Sequence, residues 1–185
     1  MTDTLQPFII ITGFMGAGKT TTARALARKL DCKMIDLDCL VEEREGRTPQ
    51  VIIDEDGEPR FREIETRALQ AALEMKDARI IALGGGTWTI PRNRALIGEH
   101  LSLAVWLDAS FELCWQRIAK EHSERPLARE RERARRLYDE RRALYHQARL
   151  RIEVSEEKSA DNIAAEIEDA LASPALEEQN RQRKL

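Results

Sequence analysis

A glycine-rich segment near the amino terminus constrains this chain more than any other feature. The sequence Gly-Phe-Met-Gly-Ala-Gly-Lys-Thr, residues 13–20, follows an apolar run at residues 8–11 and precedes a segment with helical periodicity. A strand, a glycine-rich loop and a helix in this order form the phosphate-binding loop of nucleotide-binding proteins. We therefore predict that this chain binds a nucleotide.

The residue types in this loop suit the chemistry of a polyphosphate. Backbone N–H groups and the amino terminus of the next helix meet the negative charges, and missing side chains allow a close approach. Lys19 adds a positive charge, and the Thr20 hydroxyl is a ligand for a magnesium ion between the outer phosphates. The residues expected to bind the phosphates are Gly13, Gly16, Ala17, Gly18, Lys19, Thr20 and Thr21.

Length, charge and cysteine content limit the possible partners. The chain has 185 residues and a net charge of −3, which fit a single domain without a general attraction to nucleic acid or anionic membranes. No apolar run in the sequence reaches the length of a membrane span. The three cysteines are scattered without metal-ligand spacing, which indicates reduced thiols. We expect a cytoplasmic monomer that binds small molecules, with no nucleic-acid or membrane partner.

Strand-like and helix-like segments alternate along the chain. β-rich runs occur at residues 8–12, 33–36, 79–83, 101–107 and 150–154. Helical stretches separate them, and Thr48, Ile90 and Ser110 stand where helices are expected to begin. This pattern predicts a three-layer α/β/α fold with a five-stranded parallel sheet. We place one P-loop domain at residues 1–172 and a polar tail, expected to be frayed, at 173–185.

Two aspartates lie where the second predicted strand ends. Asp36 and Asp38 are two residues apart, so their side chains would point the same way in an extended chain. Ligands of parallel sheets collect at the carboxyl ends of the strands. One aspartate would hold magnesium through water, and the other would accept a proton from an attacking hydroxyl. The alternative is that Asp38 only caps a helix beginning at Cys39.

Further polar groups are expected at the same edge of the sheet. Arg62 and Glu65 are three residues apart in a predicted helix and share one face, which on its own is typical of a surface ion pair. Gly84, Gly85 and Gly86 follow the third predicted strand, where missing side chains let backbone N–H groups meet a ligand.

Two arginines of the later chain are also candidates. Arg125 lies in a polar segment between helices, and we predict a lid at residues 122–133 that brings this guanidinium to the transferred group. The arginine-rich stretch 129–142 is interrupted by acidic residues, which indicates a solvated helix with internal ion pairs. From this stretch we select Arg141, which stands four residues before Tyr145.

These motifs, in this order, resemble those of the shikimate kinase family. The resemblance runs from residue 8 to about residue 154. The matching segments are 13–19, Asp36 with Asp38, Phe61 with Arg62 and Glu65, 84–86, 125–127, and Arg141 with Tyr145. The resemblance implies a P-loop fold of the nucleoside monophosphate kinase group. It also implies transfer of the γ-phosphate of ATP to the 3-hydroxyl of shikimate, a step in aromatic amino-acid biosynthesis.

The resemblance further implies roles for individual residues. Two arginines would grip the carboxylate of shikimate, and Asp38 would bind its hydroxyls. The residues implied to bind shikimate are Asp38, Arg62, Gly85, Gly86 and Arg141. Those implied to be catalytic are Lys19, Asp38 and Arg125.

On the nucleotide side, the resemblance implies that Thr20 binds magnesium directly and that Asp36 binds it through water. Arg125 would act on the phosphates from the lid, and Arg117 would pack on adenine. The implied cofactors are therefore ATP and Mg²⁺.

Some residues depart from the family pattern. Ile53 stands where the family usually has a phenylalanine, and Thr87 and Trp88 follow the triple glycine where smaller residues are common. Two alternatives remain open: a kinase for another small hydroxylated acid such as gluconate, and a nucleotide-binding regulator without catalysis. The phosphate-loop lysine and the two aspartates together disfavour the regulator.

Overall fold

The computed structural model describes residues 8–121 and 128–173. Its strands and helices in chain order are β1 Ile9–Thr12, α1 Lys19–Lys29, β2 Lys33–Asp36, α2 Leu37–Glu45, α3 Pro49–Asp56, α4 Glu58–Glu74, β3 Ala78–Ala82, a 3-10 helix Thr87–Thr89, α5 Pro91–Glu99, β4 Leu103–Ala109, α6 Phe111–Glu121, α7 Ala128–Tyr145, β5 Leu150–Val154 and α8 Ala160–Leu171.

Parts of two predicted segments lie outside the described residues. These parts are 122–127 of the predicted lid, with Arg125, and 174–185 of the predicted tail. Residues 128–133, the rest of the predicted lid, belong to the first turns of α7. The arginine-rich stretch forms this helix, and Arg135 and Asp139 make an ion pair within it, as the sequence predicts.

The five strands form one parallel sheet in the order β2-β3-β1-β4-β5. The central strand β1 pairs with β3 on one side and β4 on the other. Its isoleucines at 9–11 are at most 1% exposed, as expected for a strand covered on both faces. The predicted α/β fold with a five-stranded parallel sheet and flanking helices is confirmed.

Three strands differ in their bounds from the sequence prediction, and the first of them, β1, begins at Ile9 instead of residue 8. In the apolar run at 101–107 the strand begins only at Leu103, and it continues beyond the run to Ala109. Leu101 has a φ of 52° and is exposed, so it belongs to the turn before the strand. The run at 79–83 is shifted by one residue, to Ala78–Ala82.

The predicted helix starts are confirmed. The Thr48 hydroxyl accepts a hydrogen bond from the Val51 N–H at the start of α3. The Ser110 hydroxyl accepts one from the Leu113 N–H at the start of α6. Pro91 opens α5, where its missing N–H costs no helical hydrogen bond.

The connection between β2 and α2 differs from the prediction. The strand ends at Asp36 and the helix begins at Leu37, so Asp38 lies in the first helical turn and not in extended chain. Asp36 Oδ1 accepts hydrogen bonds from the N–H groups of Asp38 and Cys39, at 3.1 and 3.3 Å. The extended arrangement was therefore wrong, and so was the alternative in which Asp38 is the cap. Because Asp36 caps α2, the Asp38 carboxylate is left for other contacts.

In the part of the chain that the structure describes, no helix is both long and apolar enough to cross a membrane. The three cysteines are free thiols: Cys114 is buried, Cys32 is half-buried and Cys39 is exposed.

Candidate active site

The glycine-rich loop joins β1 to α1 at the carboxyl edge of the sheet. Gly16 has a φ of +76°, and a Cβ at this position would lie 2.6 Å from the Cys114 carbonyl oxygen. Only glycine therefore lets the loop pack this closely on α6. Gly18 precedes α1 without a side-chain cap, which leaves the first N–H groups of the helix available to an anion.

A cavity of about 450 Å³ lies next to this loop. Its lining comprises residues 16–22 together with Arg117, Lys158, Ala160 and Ile163. The predicted phosphate-binding residues from Gly16 to Thr21 thus share one cavity. Gly13 does not line it and lies against the Leu107 backbone in β4.

Two cationic side chains from other elements also line this cavity. Arg117 Nη1 donates a hydrogen bond of 3.0 Å to the Gly16 carbonyl oxygen, which ties α6 to the loop. Lys158 Nζ lies 2.8 Å from Glu166 in an ion pair. Arg117 was predicted from the sequence, but Lys158 was not. The available signal was its position after the last strand, at the same edge of the sheet as the loop.

Lys19 connects the loop with the aspartates. Its ammonium donates a hydrogen bond of 3.0 Å to the Phe14 carbonyl oxygen. Burial lowers the pKa of Lys19, and the nearby Asp38 and Asp36 carboxylates act in the opposite direction. A partly buried cation beside carboxylates can neutralise charge that water screens only weakly.

Thr20 and Asp36 bring two oxygen atoms together at the start of α1. The Thr20 hydroxyl donates to Asp36 Oδ2 at 2.6 Å, while Oδ1 of the same carboxylate caps α2. Asp36 therefore links the phosphate-binding helix to the helix that carries Asp38.

Arg62 and Glu65 form an ion pair that is not on the surface. Arg62 Nη1 lies 2.9 Å from Glu65 Oε2, and Glu65 is 1% exposed. Arg62 Nη2 also lies 2.8 Å from Glu58. A Cβ at Gly86 would lie 2.5 Å from Arg62 Nη2, so the guanidinium lies directly on the backbone of the triple glycine.

Helix α7 reaches the same segment from the other side. The Tyr145 hydroxyl donates a hydrogen bond of 2.5 Å to the Gly85 carbonyl oxygen. Burial raises the pKa of Tyr145, which keeps it a neutral donor. Arg141 Nη1 lies beside Gly85, 3.6 Å from the position of a Cβ there. The two arginines that the sequence separates by 79 positions (141 minus 62) therefore both lie at the triple glycine.

Asp38 lies between the loop and the arginines. Desolvation of its carboxyl and the nearby Glu65 and Asp36 charges raise the pKa of Asp38 to about 6, although Lys19 and Arg62 act in the opposite direction. A carboxyl group with a pKa close to neutrality can both accept and release a proton.

Two of the residues that depart from the family pattern, Thr87 and Trp88, are buried directly after the triple glycine. Thr87 is 0% exposed and Trp88 is 4% exposed. The indole N–H of Trp88 donates to the Leu144 carbonyl oxygen of α7, and Thr87 contacts Glu65. Ile53 is half-buried and packs against the core.

The sequence model of the family described as shikimate kinase matches residues 15–172 of this chain. The chain belongs to the shikimate kinase family. A shikimate kinase of Geobacter sulfurreducens is 40% identical over 162 residues, which cover 86% of this chain and 87% of that protein.

Solved structures of shikimate kinases agree with the fold. Shikimate kinase from Acinetobacter baumannii, in complex with shikimate, superposes with a TM-score of 0.81 at 31% identity and covers 91% of this chain and 94% of its own. An APS kinase of Mycobacterium tuberculosis has a TM-score of 0.57 at 21% identity and covers 91% of this chain and 99% of its own. The second likeness shows only a shared fold.

Family membership confirms the resemblance drawn from the motifs. It also identifies the chain as a member of a family of ATP-dependent kinases. The structure brings most of the predicted site residues to one edge of the sheet, although Arg125 lies outside the described residues. The residues brought together are Gly16, Ala17, Gly18, Lys19, Thr20, Thr21, Asp36, Asp38, Arg62, Gly85, Gly86, Arg117 and Arg141.

Proposed function

We propose that this protein is a shikimate kinase, which transfers the γ-phosphate of ATP to the 3-hydroxyl of shikimate and releases shikimate 3-phosphate and ADP. The observation that carries this proposal is the pair of guanidinium groups, Arg62 and Arg141, at the triple glycine beside Asp38. A phosphate-binding loop next to an anion site predicts a kinase whose acceptor carries a carboxylate. Membership of the shikimate kinase family supports shikimate as that acceptor.

The acceptor is held by charge and orientation. A planar guanidinium presents two parallel donors to a carboxylate, and Arg62 is already aligned by its bond to buried Glu65. Asp38, with its raised pKa, accepts hydrogen bonds from the substrate hydroxyls. The 3-hydroxyl oxygen is thereby held in line with the γ-phosphorus of ATP.

In the transfer step, the hydroxyl oxygen forms a bond to phosphorus as the bond from phosphorus to the bridging oxygen of ADP breaks. The hydroxyl proton passes to Asp38. Because the transition state is loose, the main contributions are positioning and neutralisation of charge on the phosphoryl oxygens. Lys19 and the N–H groups at the start of α1 supply that neutralisation from the protein.

The residues around Thr20 fit a magnesium ion. Magnesium is usually held by one or two side-chain oxygens together with water and substrate phosphates. Thr20 and Asp36 supply two such oxygens 2.6 Å apart, and within residues 8–121 and 128–173 no cluster of three or more acidic, His or Cys side chains could hold a metal alone. Thr20 would bind the ion directly and Asp36 through water. Bound magnesium supplies charge neutralisation on the outer phosphates.

The two roles of Asp36 can be separated by substitution. Asp36→Asn keeps a good helix cap but loses the charge, so we expect the magnesium requirement to rise by about 10–100-fold, the usual cost of losing an outer ligand. Asp36→Ala should also lower the free energy of unfolding by about 0.5–2 kcal/mol, because the cap is lost. Magnesium titrations of kcat/KM and urea unfolding measure the two effects. A normal magnesium dependence in Asp36→Asn contradicts the assignment.

The arginine pair predicts a selective loss of shikimate affinity. Arg62→Lys and Arg141→Lys should each raise the KM for shikimate about 10–100-fold, since a lost charge-assisted hydrogen bond costs about 1.5–3 kcal/mol. The KM for ATP should change less than about twofold. Arg60→Lys is the matched control, because Arg60 lies on the same helix in an exposed pair with Glu63. Weaker ATP binding with an unchanged shikimate KM would show that these arginines do not form the acceptor site.

The reaction itself is tested by a steady-state assay with ATP, magnesium and shikimate, coupled to detection of ADP. Gluconate and other hydroxylated acids form the comparison panel. Turnover with shikimate far above the others supports the proposal. If another acid is preferred, the protein is still a kinase but its acceptor is not shikimate. ATP binding without turnover of any acceptor indicates a regulator.

Three further proposals come from the sequence. Arg125 acts on the transferred phosphoryl group, and its substitution by Ala should lower kcat more than it changes shikimate binding. The protein works as a monomer, and it works in the cytoplasm.

A further inference from the structure

Behind the acceptor site, a buried threonine is hydrogen bonded to the carboxylate that holds Arg62. Thr87 is fully buried, and its hydroxyl donates to Glu65 Oε1 at 2.5 Å. The other oxygen of this carboxylate, Oε2, accepts a hydrogen bond of 2.9 Å from Arg62 Nη1. One buried carboxylate therefore joins Thr87 on one side to Arg62 on the other.

The orientation of Arg62 depends on this carboxylate. The second acidic partner of the guanidinium is Glu58, whose side chain is 62% exposed, and an exposed ion pair fixes geometry weakly. Glu65 is shielded from water, but its terminal torsion is broad. A hydrogen bond to Oε1, the oxygen that does not bind Arg62, restricts this torsion. Thr87 supplies this bond.

Thr87 is itself held in place by the buried polar residues around it. The Asn93 side-chain amide donates a hydrogen bond of 3.0 Å to the Thr87 carbonyl oxygen. Asn93 Oδ1 in turn lies 2.9 Å from the Thr66 hydroxyl. Thr87 also directly follows Gly86, on which the Arg62 guanidinium lies. Residues 86 and 87 therefore supply both the surface under Arg62 and the donor to its counterion.

We propose that Thr87 is a positioning residue for shikimate. Its hydroxyl fixes the Glu65 carboxylate, and Glu65 fixes the Arg62 guanidinium in the orientation that binds the substrate carboxylate. Because the Thr87 side chain is fully buried and bonded to Glu65, we expect its hydroxyl to act on the substrate through Glu65. This inference rests on the proposed function, in which Arg62 binds the carboxylate of shikimate.

The test compares side chains of similar size with and without the hydroxyl. Thr87→Val keeps the shape but removes the donor, so the KM for shikimate should rise about tenfold, while the KM for ATP changes less than about twofold. Thr87→Ser keeps the donor and should return the shikimate KM to within about twofold of the wild type. Thr87→Ser and Thr87→Ala differ only in the hydroxyl, so this pair carries the same test if the valine variant does not fold.

Ser102→Ala is the control for loss of a buried side-chain hydroxyl away from the site. Ser102 is 6% exposed and directly precedes β4, at the amino edge of the sheet, so its substitution should leave the shikimate KM unchanged. A normal shikimate KM in Thr87→Val, or an equal increase in the serine and alanine variants, overturns the inference. If the wild type does not phosphorylate shikimate, the proposed function fails first and this inference fails with it.

Discussion

Lys19→Ala is expected to lower kcat/KM about a thousandfold, equivalent to about 4 kcal/mol in the activation barrier. The Lys19 ammonium lies in the phosphate-binding loop, hydrogen bonded to the Phe14 carbonyl oxygen, and it is partly shielded from water. No other cation of the loop can replace it, since residues 13–20 contain a single lysine and no arginine. Steady-state kinetics at saturating magnesium measure the loss.

The control for this variant is Lys33→Ala. Lys33 lies at the amino end of β2, away from the loop, in an exposed ion pair with Asp77. Its removal should change kcat/KM by less than about twofold, because exposed pairs contribute little. Circular dichroism of both variants reports the fold. Near-normal turnover in a folded Lys19→Ala protein would show that the loop does not bind the transferred phosphate.

The sequence predicted those parts of the site whose geometry is local. The glycine-rich loop follows a strand and opens a helix, so its position and its use of N–H groups depend on neighbouring residues only. The order of the motifs was sufficient to place Arg62, the triple glycine and Arg141 in one family pattern. Their approach in space depends on the sheet order, which periodicity alone does not give.

Other features depended on packing between distant segments. Arg62 and Glu65 have the spacing of a surface ion pair, but Glu65 is buried and contacts residues 84–87, which are distant in sequence. Thr87 could be recognised as unusual, but its hydrogen bond spans 22 positions. Lys158 comes to the nucleotide cavity through the last strand of the sheet.

The Asp36–Asp38 segment was predicted incorrectly for a local reason. In a strand, two residues separated by one position point the same way, and the spacing of Asp36 and Asp38 was therefore interpreted as extended chain. The Asp36 carboxylate instead accepts two backbone N–H groups and starts a helix at Leu37. Aspartate is among the strongest helix caps, so the capping tendency of the first aspartate outweighed the continuation of a short strand. The second aspartate reaches the site from the first helical turn.

Asp38→Asn is expected to lower kcat by about 10²–10⁴-fold, the usual contribution of a positioned proton acceptor. The amide keeps the size of the side chain and can still accept a hydrogen bond, but it does not take a proton at neutral pH. Asp77→Asn, which alters an exposed carboxylate in a pair with Lys33, is the control and should leave kcat unchanged. A kcat within about tenfold of the wild type would remove Asp38 from the proton transfer.

The raised pKa of Asp38 also predicts a pH dependence with a definite sign. With a pKa of about 6 in the folded metal-free protein, Asp38 is protonated below that pH and cannot accept bonds through both oxygens. The affinity for shikimate, measured by calorimetry without magnesium, should therefore increase as the pH rises from 5 to 7. The Asp38→Asn variant should not show this increase.

The raised pKa of Asp38 also predicts that stability falls as the pH rises, which is opposite to the trend expected for shikimate binding. Because the folded pKa lies above the ordinary value of 3.8, the folded state holds the proton more tightly, and ionised Asp38 destabilises the fold as the pH rises through about 6. Asp38→Asn should therefore raise the melting temperature at pH 8, with a gain that shrinks towards pH 4. A variant that loses activity and gains stability as the pH rises from about 4 to 6 has lost a charge that the fold tolerates for catalysis. Equal stability of the two proteins at pH 8 would contradict the raised pKa.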